Sequence, residues 1–517
     1  MKTGRCLSAS AHLRAAAIFL NLNILQRSHS MDMKILFISP EAVPFAKTGG
    51  LADVAGALPV ALKKLGVDVR VALPFYQAIR DRYTNIFPLL HGISVRLGNQ
   101  SLMADIFETH MQEKVPVYLI GQDAFYGRPG LYGDAKGDYP DNLERFSFFC
   151  HASLCIPEVI SFSPDIVHCH DWQTGLVPAL IKGAYRHRSL QRTMSVFTVH
   201  NAGYQGIFPP EKFSVTGLPL SDFFHIEGFE YWGKLSLLKG GIIYSDAITT
   251  VSRKYAEEIL TPEYGMGMEG VFLKRKDALH GILNGVEYEH WNPETDAFIP
   301  SNYNHKDIRG KKDCKRDLIT ETGLDRSMLN RPLLSMVTRL DTQKGIDLVI
   351  AAADKIVQMD AALIILGKGS HDLHERLVQT AMRHPDRIKL KLDFDECLAH
   401  RIMAGSDMIL IPSRYEPCGL TQMYALKYGT VPVVRATGGL DDTVSEFDVK
   451  TGRGNGFKFV PYRSDALVSA IKRACDFFSD TSTWHTIMLN GMKADFSWDR
   501  SVKEYMKLYN SLLLKQD

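Results

Sequence analysis

From Met33 onward the chain alternates short, uniformly apolar runs with amphipathic stretches, and it does so in two successive series. A run such as KILFIS at 34–39 has almost no polar face, so a strand made from it must be covered on both sides, as in a parallel sheet flanked by helices. The next stretch sets Leu51, Val54, Ala55, Leu58, Ala61, Leu62 and Leu65 at helical spacing, and Gly66 closes it. VDVRVALP at 67–74 then reads as a second strand. Pro59 inside the helix removes one backbone donor and predicts a kink. A strand–helix–strand unit of this kind crosses over right-handed.

The same pattern predicts strands at 165–169, 195–199 and 247–251, then a second series at 333–340, 362–367, 388–392, 408–413 and 431–436. Helical stretches in that second series fall at 345–359, 370–383, 396–405 and 418–428. Between the two series, 292–331 is rich in Pro, Asn, Asp and Lys with little periodicity, and reads as a linker or variable connection. Two doubly wound α/β halves follow, with ligands expected beyond the carboxyl ends of the strands, in a cleft between the halves. A last stretch places Val502, Tyr505, Met506, Tyr509, Leu512 and Leu513 on one helical face, as a docking helix would.

Composition narrows the function classes. At 517 residues the chain exceeds one compact core, and 45% apolar with 23% charged residues is ordinary globular usage. Sixty Lys and Arg against 58 Asp and Glu leave a formal charge of +2, which removes the electrostatic case for a general nucleic-acid or anionic-membrane binder. No apolar run approaches the roughly 20 residues of a bilayer span. The eight cysteines are scattered without a CxxC pair and read as reduced thiols of a cytoplasmic protein. Residues 1–32 stand apart, with Lys2, Arg5, Arg14 and Arg27 and hardly an acidic residue. They read as a leader outside the fold, a disordered or untranslated segment before Met31 or Met33, or else a targeting peptide.

Six segments carry the candidate chemistry. KTGGLADV at 47–54 lies between a buried strand and a helix, where Gly49 and Gly50 admit a ligand close to the backbone and the helix start faces an anion; it is neither a Walker A loop nor a dinucleotide fingerprint. ATGGLDDTV at 436–444 repeats that turn in the second half, around Thr437, Gly438 and Gly439. TRLDTQKG at 338–345 puts Arg339 and Lys344 behind a strand, a pair suited to a diphosphate. In SRYEPCGL at 413–420, Glu416 sits between strand and helix as a helix cap or a ligand for sugar hydroxyls, with Gly419 beyond it; Cys418 is a packing residue rather than a nucleophile. HCHDWQTG at 168–175 and TVHNAGYQG at 198–206 end two strands; His168 and His170 lack a third metal ligand, and the set suits a polar, aromatic sugar site.

Taken in order, KTGGLADV, HCHDW, TVHN, LNGVE at 283–287, RLDTQKG, SRYEPCGL and TGGLDDTV resemble the bacterial and plant glycogen (starch) synthase family, from about residue 33 to the C-terminus. The resemblance implies a GT-B type α/β fold: an N-terminal Rossmann-like acceptor-side domain at 33–280, a C-terminal Rossmann-like nucleotide-sugar domain at 281–490, and a helix at 491–517 that packs back on the first domain. It implies retaining transfer of glucose from ADP-glucose to the non-reducing end of an α-1,4-glucan such as glycogen, with no cofactor and no metal; the oligomeric state stays open. By the same resemblance, Arg339 and Lys344 hold the leaving diphosphate with the amides of Gly438 and Gly439. Lys47 contacts the donor, Glu416 the transferred glucose, and His200 the region of its anomeric carbon. Gly49, Gly50, Asn284, Phe394, Cys418, Gly419 and Thr437 complete the donor site. Glu41, Asp53 and Asp171 are further sugar-side candidates, with Asp53 orienting the Lys47 loop. Phe394 stands where the family commonly has a base-stacking Tyr, and Glu287 where Asp is usual. Another retaining GT-B glycosyltransferase, or a non-catalytic glucan-binding relative, are the competing readings.

Overall fold

The computed structural model describes residues 33–185 and 190–515; the leader expected at 1–32 lies outside them. The chain forms two compact units. One takes the chain up to Thr249 with Gly265–His280 and the segment from Ser501; the other takes Thr250–Tyr264 and Gly281–Arg500. The boundary expected at residue 280 is therefore crossed, because 250–264 belongs with the second unit. There Ser252 Oγ donates to Pro417 O (2.6 Å) and the Lys254 amide to Asp442 (2.9 Å).

The first unit is built on strands β1 (Lys34–Ile38), β2 (Asp68–Pro74), β3 (Phe87–Leu97), β4 (Gln100–Met111), β5 (Val115–Gly121), β6 (Ile166–His170), β7 (Met194–Val199), β8 (Ala247–Thr250) and β9 (Leu279–Gly281). Their order is β9-β8-β7-β6-β1-β2-β5-β4-β3. β1 pairs in parallel with β2 and β6, and β6 with β7, as apolar runs covered on both faces require. One edge differs: β3 and β4 form an antiparallel hairpin about Gly98, whose φ of +57° a glycine adopts readily. Helix α1 (Gly50–Lys64) follows β1 and buries Leu51, Val54, Ala55, Leu58 and Leu62. It runs as one element through Pro59, where a kink was expected.

The second unit holds β10 (Leu333–Val337), β11 (Ala362–Leu366), β12 (Ile388–Lys391), β13 (Met408–Ile411), β14 (Val431–Arg435) and β15 (Phe457–Phe459), in the order β12-β11-β10-β13-β14-β15 with every pair parallel. Alternation along each strand splits its core. Leu334, Met336, Leu363, Ile365, Met408 and Leu410 enter one apolar cluster, while Leu333, Ile364 and Leu366, with Ile409 and Ile411, enter clusters on the opposite face. Both sheets therefore carry helices on two faces, the doubly wound arrangement.

The stretch read as a linker is not one: Arg309–Thr322 is a 14-residue helix, α2. Its buried positions are Gly310, Lys311, Cys314, Lys315, Leu318 and Ile319, so two of the six are lysines and one is glycine, which hides the apolar pattern. Lys311 Nζ donates to Ala404 O, Tyr428 O and Thr430 Oγ1 at 2.8–3.0 Å, and burial lowers its pKa to about 7. Lys315 pairs with Asp407 at 2.6 Å. Helix α3 (Glu396–Gly405) packs against α2. The last helix, α4 (Trp498–Leu513), seats Val502, Tyr505, Tyr509 and Leu512 in buried positions. Tyr509 and His168 Nδ1, both in the first unit, are hydrogen-bonded at 2.8 Å. Among the described residues no helix is long and apolar enough to cross a membrane.

Candidate functional site

In the second unit the loops after β10 and β13 are sewn together. Arg414 N donates to Gln343 O (2.7 Å), and Gln343 Nε2 to Tyr415 O (3.1 Å). Gly345 sits at φ +72°, and a Cβ there would lie 2.1 Å from Pro412 O, so glycine lets the two backbones touch. This contact delivers Lys344 to Glu416: Nζ lies 2.9 and 2.7 Å from the two carboxylate oxygens, and Ser413 Oγ donates to one of them at 2.8 Å. The pair lines a cavity of about 60 Å³ with Thr338, Ser413, Gly419 and Gln422, a space for a few waters rather than a hexose. Arg339 is 57% exposed and its partner Asp341 is 3.6 Å away, which leaves the guanidinium available to an anion.

The second glycine turn departs from expectation. The Gly438 amide donates to both oxygens of Glu258 (3.1 and 3.0 Å), and Thr437 Oγ1 donates to the same carboxylate (3.1 Å). The Gly439 amide is shared between Glu416 O and Pro417 O at 3.1 and 3.2 Å. Neither amide is therefore free for a phosphate in this conformation. The glycines serve packing instead: a Cβ at Gly438 would meet Glu416 O at 2.0 Å, and one at Gly439 would meet Cys418 O at 2.0 Å. The turn thus positions Glu416 from behind. Burial raises the pKa of Glu258, against the hydrogen bonds from Gly438 and Thr437.

Cys418 is buried, its thiol pushed up to about 12 by desolvation, so it is no nucleophile. Gly419 turns the chain at φ +72° and its carbonyl accepts from Gln422 Nε2 at 2.8 Å. Asn284 is buried with its side-chain oxygen unpartnered, an acceptor left for a ligand or water. Phe394, 80% exposed, presents a bare ring face.

In the first unit Glu41 occupies the start of α1. Its carboxylate accepts from the Thr48 amide, from Thr48 Oγ1 (2.6 Å), from the Gly49 amide (3.4 Å) and from Tyr132 OH (2.5 Å). A Cβ at Gly49 or Gly50 would meet nothing within 4 Å, so this turn, unlike the one at 438, is open. Lys47 Nζ pairs with Asp53 at 2.7 Å; burial raises the Asp53 pKa against that attraction.

β6 and β7 end in a compact polar group. His168 has both ring nitrogens engaged, by Tyr509 OH and by Thr198 Oγ1 (2.6 Å), which removes it from metal ligation. His170 Nδ1 and His200 Nε2 are 3.0 Å apart. Burial pushes His168 and His200 down to about 3 and His170 well below its ordinary value, so all three are neutral imidazoles. Asp171 stands at φ +56°, ψ −179°, a region left almost entirely to glycine, and such strain clusters at functional sites. Its carboxylate accepts from the His200 amide at 2.7 Å, yet burial, with the charge of Glu41 adding, pushes its pKa up to about 7.

Sequence reasoning missed Ser413, Tyr132, Glu258 and His170 as partners of these groups. Ser413 and His170 lay inside motifs with a visible purpose; Glu258, in an ordinary six-residue helix at Arg253–Glu258, had no signal at all.

The starch synthase catalytic domain family matches residues 34–274, and the glycosyl transferases group 1 family matches 326–476. A glycogen synthase of Anaeromyxobacter sp. (strain Fw109-5) is 45% identical over 93% of this chain and 99% of its own length. One from Koribacter versatilis is 43% identical over 92% and 98%. Among solved structures, the catalytic domain of starch synthase IV from Arabidopsis thaliana, bound to ADP and acarbose, superposes with a TM-score of 0.85 at 32% identity, over 93% of this chain and 99% of that one. A sucrose-phosphate synthase from Thermosynechococcus elongatus, at 17% identity and a TM-score of 0.59, shares the fold. With its two doubly wound units and with relatives matched over nearly their whole length, the chain is a GT-B glycosyltransferase and belongs to the glycogen (starch) synthase family.

Proposed function

We propose that this protein is a cytoplasmic glycogen synthase that transfers glucose from ADP-glucose, with retention, to the non-reducing end of an α-1,4-glucan. The observation that carries the reading is the Lys344–Glu416 pair at the carboxyl ends of β10 and β13, with Arg339 underused beside it. As the glycosidic bond breaks, negative charge grows on the departing diphosphate. Lys344 and Arg339 are fixed cations for that charge, and donors already in place need no reorganisation when it develops. Glu416, held by Ser413 and by the glycine turn behind it, binds hydroxyls of the transferred glucose. Lys47, with Asp53 orienting it, is the further cation assigned to the donor. His200 takes part as a neutral imidazole, so it offers a dipole and a lone pair rather than a full charge.

Phe394 supplies the ring for the nucleotide base, and Asn284 a hydrogen-bond acceptor. With fixed cations on the diphosphate, turnover requires no added metal or cofactor. ADP as the base-bearing half of the donor is supported by the relation to the Arabidopsis structure bound to ADP and acarbose. The test is incubation with radiolabelled ADP-glucose or UDP-glucose and a glycogen primer, with and without EDTA. Label entering glucan from ADP-glucose, unaffected by EDTA, is the expected result. Incorporation from UDP-glucose alone would change the donor, and incorporation from neither would remove the reading.

A further inference from the structure

A cluster outside the groups assigned to catalysis lies where the loop before α2 meets helix α3. Glu396 and His400 are four residues apart on α3 and so share one face of it. His290 reaches the same place from the loop, with Nε2 3.2 Å from Glu396 Oε1. One ligand atom from each of the three lies within 4.8 Å of the others. For bonds of about 2.0–2.1 Å, tetrahedral ligands sit about 3.3 Å apart, so the His290–Glu396 spacing already matches one edge.

The state of His400 turns this from a surface ion pair into a site. Its side chain is fully buried, and Nδ1 is held by Asp296 at 2.8 Å. Asp296 is itself fixed by Tyr428 OH (2.5 Å) and the Phe298 amide (2.8 Å). Trp291 stacks on the ring at 3.7 Å between centroids and 11° between planes. With Nδ1 committed as donor to a carboxylate, Nε2 carries a lone pair, and that buried nitrogen has no hydrogen-bond partner. A carboxylate on one imidazole nitrogen with the other left to ligate is the arrangement that orients metal-binding histidines. His290 and Glu396 are about half exposed, so their side chains are able to close on an ion arriving from solvent.

We propose that His290, Glu396 and His400 form a binding site for Zn²⁺ or a similar divalent transition metal, with water completing the coordination. Two imidazoles and one carboxylate suit that class of ion rather than Mg²⁺ or Ca²⁺. The ion takes no part in glucosyl transfer; it ties the 287–300 loop to α3, next to the turn that carries Phe394.

The test uses the full chain, stripped with a chelator and titrated with Zn²⁺ by calorimetry and with Co²⁺ by visible absorption. One ion per chain and Co²⁺ bands of a four- or five-coordinate site are expected. His290→Ala and Glu396→Ala, at exposed positions that leave the fold intact, each weaken binding at least about 10-fold, as even the loss of an outer partner does. Absence of binding to the wild-type chain would overturn the proposal. So would binding of equal affinity in both variants, which would assign the ion to other groups such as the cysteines.

Discussion

Glu416 is held from three directions: Lys344 in front, Ser413 at one oxygen, and the Gly438–Gly439 turn against its own carbonyl. Removing either charge should be felt in chemistry before stability. Lys344→Ala and Glu416→Ala are each expected to lower kcat by about 10²–10³-fold, the usual loss when a preorganised group is deleted. Steady-state kinetics beside far-UV circular dichroism checks this, and near-normal kcat in both would mean the roles are misassigned. The two glycine turns should separate in the same kind of experiment. Gly438→Ala places a Cβ into the Glu416 carbonyl at a left-handed φ and should lose both stability and activity. Gly49→Ala meets open space and should cost less than about 1 kcal/mol, read from the urea midpoint. A third prediction concerns protons. His168 and His200 are held near 3 in the folded chain and titrate near 6.5 when unfolded, so the unfolded state binds more protons between those values. Stability should therefore decline as pH falls from about 6.5 toward 3. Asp171, raised to about 7, works in the opposite sense between about 4 and 7, so the net slope is the smaller difference of the two. Urea midpoints across pH 7 to 5 measure it, and a His200→Gln variant should flatten the dependence.

At the scale of elements, legibility followed chemistry. Runs such as ALIIL in β11 and MILI in β13 have one structural solution, and those strands lie within a few residues of where the pattern put them. Helix α2 failed because its inward face spends two positions on lysines, whose ammonium groups reach carbonyls and a carboxylate in the interior. No hydrophobic periodicity exposes a helix packed that way. The β3–β4 hairpin was passed over because β3 exposes most of its side chains, Phe87, Leu89 and Leu90 among them. The motif residues themselves were readable, but their partners were not: nothing in the local sequence announces that Glu258 closes the Gly438 amide, 180 residues away. α2 is nonetheless structural: Leu318 is fully buried in it, and Leu318→Ala should lower unfolding free energy by about 2–5 kcal/mol. An unchanged denaturation midpoint would show that this helix is dispensable to the core.

For the whole molecule, the division into units does not follow the order of the chain. The first unit recruits the segment beyond Ser501, where Tyr509 reaches His168 across 341 residues of sequence. A chain cut after Arg500 should therefore leave the first unit with an uncovered apolar groove. Its expected signature is aggregation on expression, and a soluble, cooperatively folding product would contradict it. The same long-range closure bears on synthesis. Translation is vectorial, and the ribosome must lay down the entire second unit before the residues that finish the first one emerge. Until then the nascent sheet waits with its final flank missing, so its holding time is set by elongation and not by its own folding rate. During that interval the apolar flank stays exposed, the condition under which incomplete chains aggregate.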